Sequence, residues 1–225
     1  MKIYRNVHNV EDVKDERGGW KVSYYQKSDI YYTTFHTRGG VLWRSVVNRT
    51  TEGSKEQILN PNYIGCQNLF NDCDSFIDWC HTQKGYFEKT DERYWSLDKD
   101  IILKGNKSYS QETCCFIPNY INCLFTNHLK KNSSESLMGV YWRERFQKYV
   151  SQCQNEIGKR EHLGHFNTEF EAHQAWQIRK SEVMLNKAQE YLLTKSSRSD
   201  VYEAIVLRAK DILIDHKNGV PTLFV

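Results

Sequence analysis

The sequence predicts an α+β chain, and three observations carry that reading. Between Trp95 and Phe125, an apolar stretch ends in Asp98-Lys99-Asp100 and a Gly105-Asn106 turn follows. The apolar run Cys114-Cys115-Phe116-Ile117 and a helix opened by Pro118 then complete a strand, turn, strand and helix. From residue 139 onward, three short strands (140–145, 148–154 and 159–166) precede a helix starting at Glu169, the pattern of a three-stranded antiparallel sheet with a helix laid on it. Apolar residues make up 39% of the 225 and only three are proline, so the chain can bury a core rather than remain disordered.

The remaining elements follow in order. Residues 1–36 alternate in places, as in Trp20-Lys21-Val22-Ser23-Tyr24 and Ile30-Tyr31-Tyr32-Thr33-Thr34-Phe35, which reads as two short strands joined through Lys27-Ser28-Asp29. Gly18-Gly19 and Gly39-Gly40 bracket these runs, which form an aromatic sheet capping the next unit or present Tyr24, Tyr25, Tyr31 and Tyr32 to a nucleic acid. Residues 41–49 place Leu42, Ser45, Val46 and Arg49 on one helical stripe, and 69–80 carry the apolar spacing of an amphipathic helix. Residues 127–137 are polar and read as a linker, and 199–214 read as a terminal helix capped by Ser199 or Asp200. The resulting divisions are 1–36, 37–130, 138–194 and 195–225.

Composition removes several classes. No apolar run is long enough to cross a bilayer, and the first residues lack the core of a signal peptide, so a cytoplasmic protein without a membrane partner is expected. Seven cysteines, an odd number with an adjacent pair, suit reduced thiols better than a disulfide framework. Cys66, Cys73 and Cys80 recur every seven residues, which along a helix makes small apolar side chains on one face. Zinc sites instead bring ligands two to four residues apart. Cys114 and Cys115 are expected to alternate between core and exterior. A net charge of +3 permits nucleic-acid binding without arguing for it.

The 95–125 segment resembles the HNH (ββα-metal) endonucleases, especially phage-type homing enzymes. Asp98 matches their metal-binding Asp, Gly105-Asn106 their loop Gly-Asn and Asn122 their helix ligand, while Lys99 occupies the place of their catalytic His. The resemblance extends upstream through Trp43-Arg44, Pro61-Asn62-Tyr63-Ile64-Gly65-Cys66 and the helix from Phe76 to Trp79, and so covers roughly 40–126. It implies a ββα-metal nuclease unit that hydrolyses phosphodiesters with Mg²⁺ or Mn²⁺. Asp98, Asp100 and Asn122 are then the metal ligands, Lys99 takes the catalytic position and Asn106 lies against DNA.

Residues 139–176 resemble the APETALA/ethylene-response-factor class of DNA-binding domain, which also occurs attached to phage HNH nucleases. The matching stretches are GVYWR (139–143), KYVSQ (148–152), GKREHLGHFNT (158–168) and EAHQAW (171–176). The resemblance implies that the sheet enters the major groove of duplex DNA, with Arg143, Arg145, Lys148, Gln152 and Arg160, together with Trp142 and His162, as contacts. Such a ribbon fits the groove, and arginine suits bidentate contact with guanine. Alternation puts Tyr141, Arg143 and Arg145 on one side of the first strand and Val140, Trp142 and Glu144 on the other.

Two functions follow from these resemblances. One is a Mg²⁺-dependent DNA endonuclease that cuts or nicks duplex DNA, its oligomeric state left open by the sequence. The other is a catalytically degenerate HNH-scaffold protein of phage origin that binds or regulates DNA. The departure at Lys99 separates them, because an ordinary lysine ammonium, with a pKa of about 10.4, is a poor base near neutral pH. Depression of that pKa, help from Asp100 or His128, or a role holding the scissile phosphate are the ways position 99 remains useful. The plainer reading of Asp98 and Asp100 is an acidic pair capping a turn, and of Asn122 a helix residue bonded to local backbone.

Overall fold

The computed structural model of the chain describes residues 25–27, 30–32, 37–125 and 136–225, with backbone alone for the first two stretches. It is a mixed α+β protein with several two-stranded pairings and one three-stranded antiparallel sheet. The described residues fall into two compact units. The first gathers those up to Phe87 together with Leu97–Phe116, and the second takes Glu88–Ser96 and those from Ile117 to Val225. The residues from Ile117 to Phe125 therefore go with the second unit, whereas the sequence grouped them with 37–130.

In the first unit, β1 (Tyr25–Lys27) pairs antiparallel with β2 (Ile30–Tyr32), so Lys27, which the sequence placed in the connection, belongs to a strand. The 20–24 strand, Ser28-Asp29, Thr33 to Phe35 and His128 lie outside the described residues, as do the side chains of Tyr25, Tyr31 and Tyr32. Helix α1 (Arg38–Thr50) starts earlier than the apolar stripe indicated. Thr37 caps it by accepting from the Gly40 amide at 3.1 Å, so Gly39 and Gly40 form its buried first turn rather than a break. Helix α2 (Lys55–Leu59) and a 3₁₀ turn at Pro61–Tyr63 lead into β3 (Gln67–Asn68). Helix α3 (Cys73–Thr82) begins four residues after the apolar pattern does, because Asp72 and Ser75 build a reciprocal capping box there. Phe70 nevertheless joins the core, within 5.0 Å of the Phe76 and Trp79 rings, and Tyr86 meets Phe116 at 5.2 Å.

The short strands β4 (Lys89–Thr90) and β5 (Arg93–Tyr94) pair in the second unit. Strand β6 (Ser96–Asp98) pairs with β8 (Cys115–Ile117), while β7 (Ser108–Tyr109), inside the connection, pairs parallel with β3. Every residue of β8 is buried, so Cys114 and Cys115 both lie inside rather than alternating between core and surface. All seven cysteines are free thiols. Helix α4 (Asn119–Asn122) is one turn long, with Pro118 before it.

The second unit is built on the sheet β9 (Val140–Arg143), β10 (Lys148–Gln154) and β11 (Arg160–Phe166), in the order β11-β10-β9. β9 ends two residues early because Glu144–Phe146 form a 3₁₀ turn, closed by Gln147 in the left-handed region. Helix α5 (Glu169–Leu192) starts where the acidic first turn indicated, and Thr168 and Glu171 make its capping box. Helix α6 (Ser199–Lys217) buries Val201, Ile205, Ala209 and Ile212 and packs along α5. Arg198 rather than Ser199 or Asp200 precedes its first turn, and grips Asp200 through two hydrogen bonds. Among the described residues no helix is long and apolar enough to cross a membrane.

Candidate functional site

Asp98 ends β6, and the chain bends immediately after it. Its Oδ1 accepts from the amides of Asp100 at 2.8 Å and Ile101 at 2.7 Å, a local turn that fixes the carboxylate at the strand end. Oδ2 meets no hydrogen-bond partner among the described residues and is not sealed from solvent. Burial raises this carboxyl above the usual carboxylate range, and the two amides pull the other way without cancelling it. The two accepted amides are the turn-capping that the plainer reading of Asp98 described. Because β6 stops at Asp98, Asp100 lies beyond the strand, in the turn that follows it.

Lys99 is buried, at 6% exposure, and its ammonium is committed. Nζ donates to Asp100 Oδ1 and to the Asn106 carbonyl at 2.7 Å. Asn106 returns the contact, donating from Nδ2 to the Lys99 and Ser108 carbonyls at 2.7 Å each and accepting from the Ser108 amide at 3.1 Å. The pair staples the loop, with Gly105 at φ +76° supplying the left-handed turn. Lys99 Nζ is thus engaged by Asp100 and the Asn106 carbonyl, and the Asn106 carboxamide is spent on its own loop rather than offered to a ligand.

Asn122 closes α4 in the second unit, whereas Asp98 lies in the first. Among the described residues no group of three or more His, Cys, Asp or Glu is placed to hold a metal ion. The donor chemistry near Asp98 suits a hard cation bound through few protein oxygens: one carboxylate with an uncommitted oxygen, and Asp100 beside it. Mg²⁺ is commonly held in this way, by one or two carboxylates with water and phosphate oxygens completing the shell.

The three-stranded sheet has two unlike faces. Arg179 of α5 donates from Nε to Glu161 at 2.9 Å, and Glu161 pairs with Cys153, so that face looks toward the helix. Gly139, at φ +77°, leads into the sheet where an added Cβ would stand 2.0 Å from the Trp176 ring of α5, so only glycine fits. Register then assigns the opposite face. Val150 pairs with Tyr141 and His165, Lys148 with Arg143, Gln152 with His162 and Gln154 with Arg160. A bulge between the Ser151 and Gln152 pairings passes over Leu163 on β11, and it turns His162 and His165 to the same side. Their rings lie 4.7 Å apart, His165 meets Phe146 at 5.1 Å, and the guanidinium groups of Arg143 and Arg145 lie over Phe146 at 5.3 and 5.5 Å.

Arg143, Lys148, Gln152, Arg160 and His162 of the expected contacts therefore share the open face, with Arg145 in the turn at its end. Trp142 does not. It pairs with Tyr149 on the helix side, their rings 4.8 Å apart, and its indole donates to Glu144 at 2.7 Å. Phe146 and His165 were not singled out from the sequence. Strict alternation hides His165, and Gly164 in the middle of a strand was the available signal of a bulge. The acidic residues that interrupt the basic ones in sequence are occupied elsewhere. Glu156 and Glu161 are bound by Arg179, at 2.7 and 2.9 Å, and the Arg179 and Asn186 hydrogen bonds pull the Glu156 carboxyl down to about 2. Comparison of the chain with protein-family models, with curated proteins and with solved structures finds no match.

Proposed function

We propose that this chain binds duplex DNA through the open face of its three-stranded sheet and hydrolyses a phosphodiester at Asp98, as a Mg²⁺-dependent endonuclease of the HNH type. The observation that carries the reading is the sorting of charge across the sheet. Arg143, Lys148, Arg160, His162 and His165 share one face of the sheet, with Arg143 and His165 against Phe146, while Glu156 and Glu161 are neutralised on Arg179. Basic side chains serve phosphates, arginine and glutamine serve base edges, and the exposed ring supplies an apolar contact. Asp98 supports the hydrolytic half, because its uncommitted oxygen is of the kind a hard cation accepts. Asp98 would hold Mg²⁺ there, and the cation, when bound, would supply Lewis-acid polarisation of the phosphodiester. The chain's own residues hold the carboxylate in place through the Asp100 and Ile101 amides, and keep its loop rigid through Lys99 and Asn106.

One observation favours a second reading, a DNA-binding protein on the same scaffold without catalysis. Lys99, at the position of the catalytic base, has its ammonium bound by Asp100 and Asn106. Incubation of the full chain with supercoiled plasmid and Mg²⁺ or Mn²⁺, beside a duplex-binding assay, decides between them. The expected result is nicked or linear product that requires the cation and disappears in Asp98→Asn, with duplex affinity weakened about tenfold in Arg143→Ala. Binding without cleavage under either cation leaves the second reading, and no duplex binding removes both.

A further inference from the structure

Arg49 takes no part in the constellation the sequence singled out, yet it lies in the same unit as Asp98, and the Tyr109 it bonds has its ring centre 5.8 Å from the ammonium of Lys99, the residue after Asp98. It sits in the last turn of α1 and is half-buried. Its Nη1 donates to the Tyr109 hydroxyl at 3.3 Å, and its guanidinium lies 5.0 Å from the centre of the Tyr63 ring. Among the described residues no carboxylate forms an ion pair with it, and Tyr109 is the single hydrogen-bond acceptor its side chain meets. Its other nitrogens are not sealed in the interior. Burial disfavours its charge, but Tyr109, Tyr63 and Asp98 together hold the guanidinium more firmly charged than usual. A permanently charged fork set between two tyrosines, with most of its N–H bonds unspent, is built to receive an oxyanion.

We infer that Arg49 is a phosphate-contact residue, donating to a non-bridging oxygen of the nucleic-acid phosphodiester brought to Asp98. This rests on the hydrolytic reading of Asp98 given above. Tyr109 and Tyr63 hold the fork, leaving its remaining donors for the phosphate, where charge develops during attack. The test compares wild type, Arg49→Gln and Arg49→Lys as full chains, each first checked for an unchanged circular dichroism spectrum. With Mg²⁺ and plasmid, kcat is expected to fall about 100-fold in Arg49→Gln with KM changed less than twofold, and Arg49→Lys is expected to recover part of the loss. Undiminished kcat in Arg49→Gln overturns the inference. If wild type cuts nothing, the hydrolytic reading fails by itself, and the phosphate contact is then read from arginine side-chain ¹⁵N resonances during titration with the dinucleotide dTpdT. A shift of the signal that Arg49→Lys deletes supports the contact, and no shift overturns it.

Discussion

Burial moves the pKa of both Asp98 and His173, and each gives stability a pH dependence of known sign. Asp98 has its carboxyl raised by burial. The folded chain therefore holds that proton at pH values where the unfolded chain has released it, and stability falls as pH rises from about 3.9 through the folded value. Asparagine keeps the acceptor for the Ile101 and Asp100 amides without the charge. Asp98→Asn is expected to melt at the same temperature or higher at pH 7 while losing cleavage, and a lower midpoint would contradict the account. His173 is fully buried between two backbone groups: Nδ1 is 2.8 Å from the Met138 carbonyl, and Nε2 accepts from the Thr222 amide at 3.0 Å. That geometry requires a neutral ring. Burial lowers the pKa, with Glu169 and Asp215 opposing in part. The unfolded chain binds the proton first, so stability is complete above about pH 6.5 and declines as pH falls below it. Denaturation midpoints at pH 7.5 and 5.5, with hydrogen exchange at Thr222, check this; equal midpoints and unchanged protection at the lower pH would refute it.

At the scale of elements, local chemistry sets most boundaries, and tertiary contacts set the exceptions. The capping boxes at Asp72 and Thr168 start α3 and α5 where side chains can satisfy the first amides. Leu69, at 58% exposure, is left outside the helix that apolar spacing assigned to it. The meeting of sheet and α5 is tightest at Gly139. An alanine there would both strain a left-handed residue and strike Trp176, so Gly139→Ala is expected to cost about 2–3 kcal/mol in a urea titration. A variant as stable as the parent would show that the Trp176 ring moves aside without penalty. The C-terminal segment is anchored by Gln177, which donates to the Val220 carbonyl at 2.9 Å and to Thr222 Oγ1 at 3.0 Å. No periodicity announces such a clasp, because it joins single residues far apart in the chain.

For the molecule as a whole, a net charge of +3 says little about partners until its distribution is known. The sheet concentrates Arg143, Lys148 and Arg160 on one face and takes Glu156 and Glu161 out of play. DNA affinity should accordingly fall with salt as for a surface meeting three or four phosphates, a log–log slope of about −3 to −4, and Arg160→Ala should reduce that slope by about one. A flat salt dependence would argue against the sheet as the binding face. By itself the sequence determined the α+β class, the strands of the 140–166 sheet and the start of α5, because alternation, turns and caps act over a few residues. It also marked Asp98 and the Gly105-Asn106 turn, although what those residues do was implied by resemblance rather than by spacing. Only the tertiary structure decided that Lys99 and Asn106 spend their polar groups on each other and that the bulge at Leu163 turns His165 outward. It alone set Arg49, from a helix about fifty residues upstream of Asp98, against Tyr109, whose ring lies beside the Lys99 ammonium. The physical reason is that burial, hydrogen-bond partners and charge reach are properties of neighbours in space, and the spacing of residues along a chain records only its local geometry.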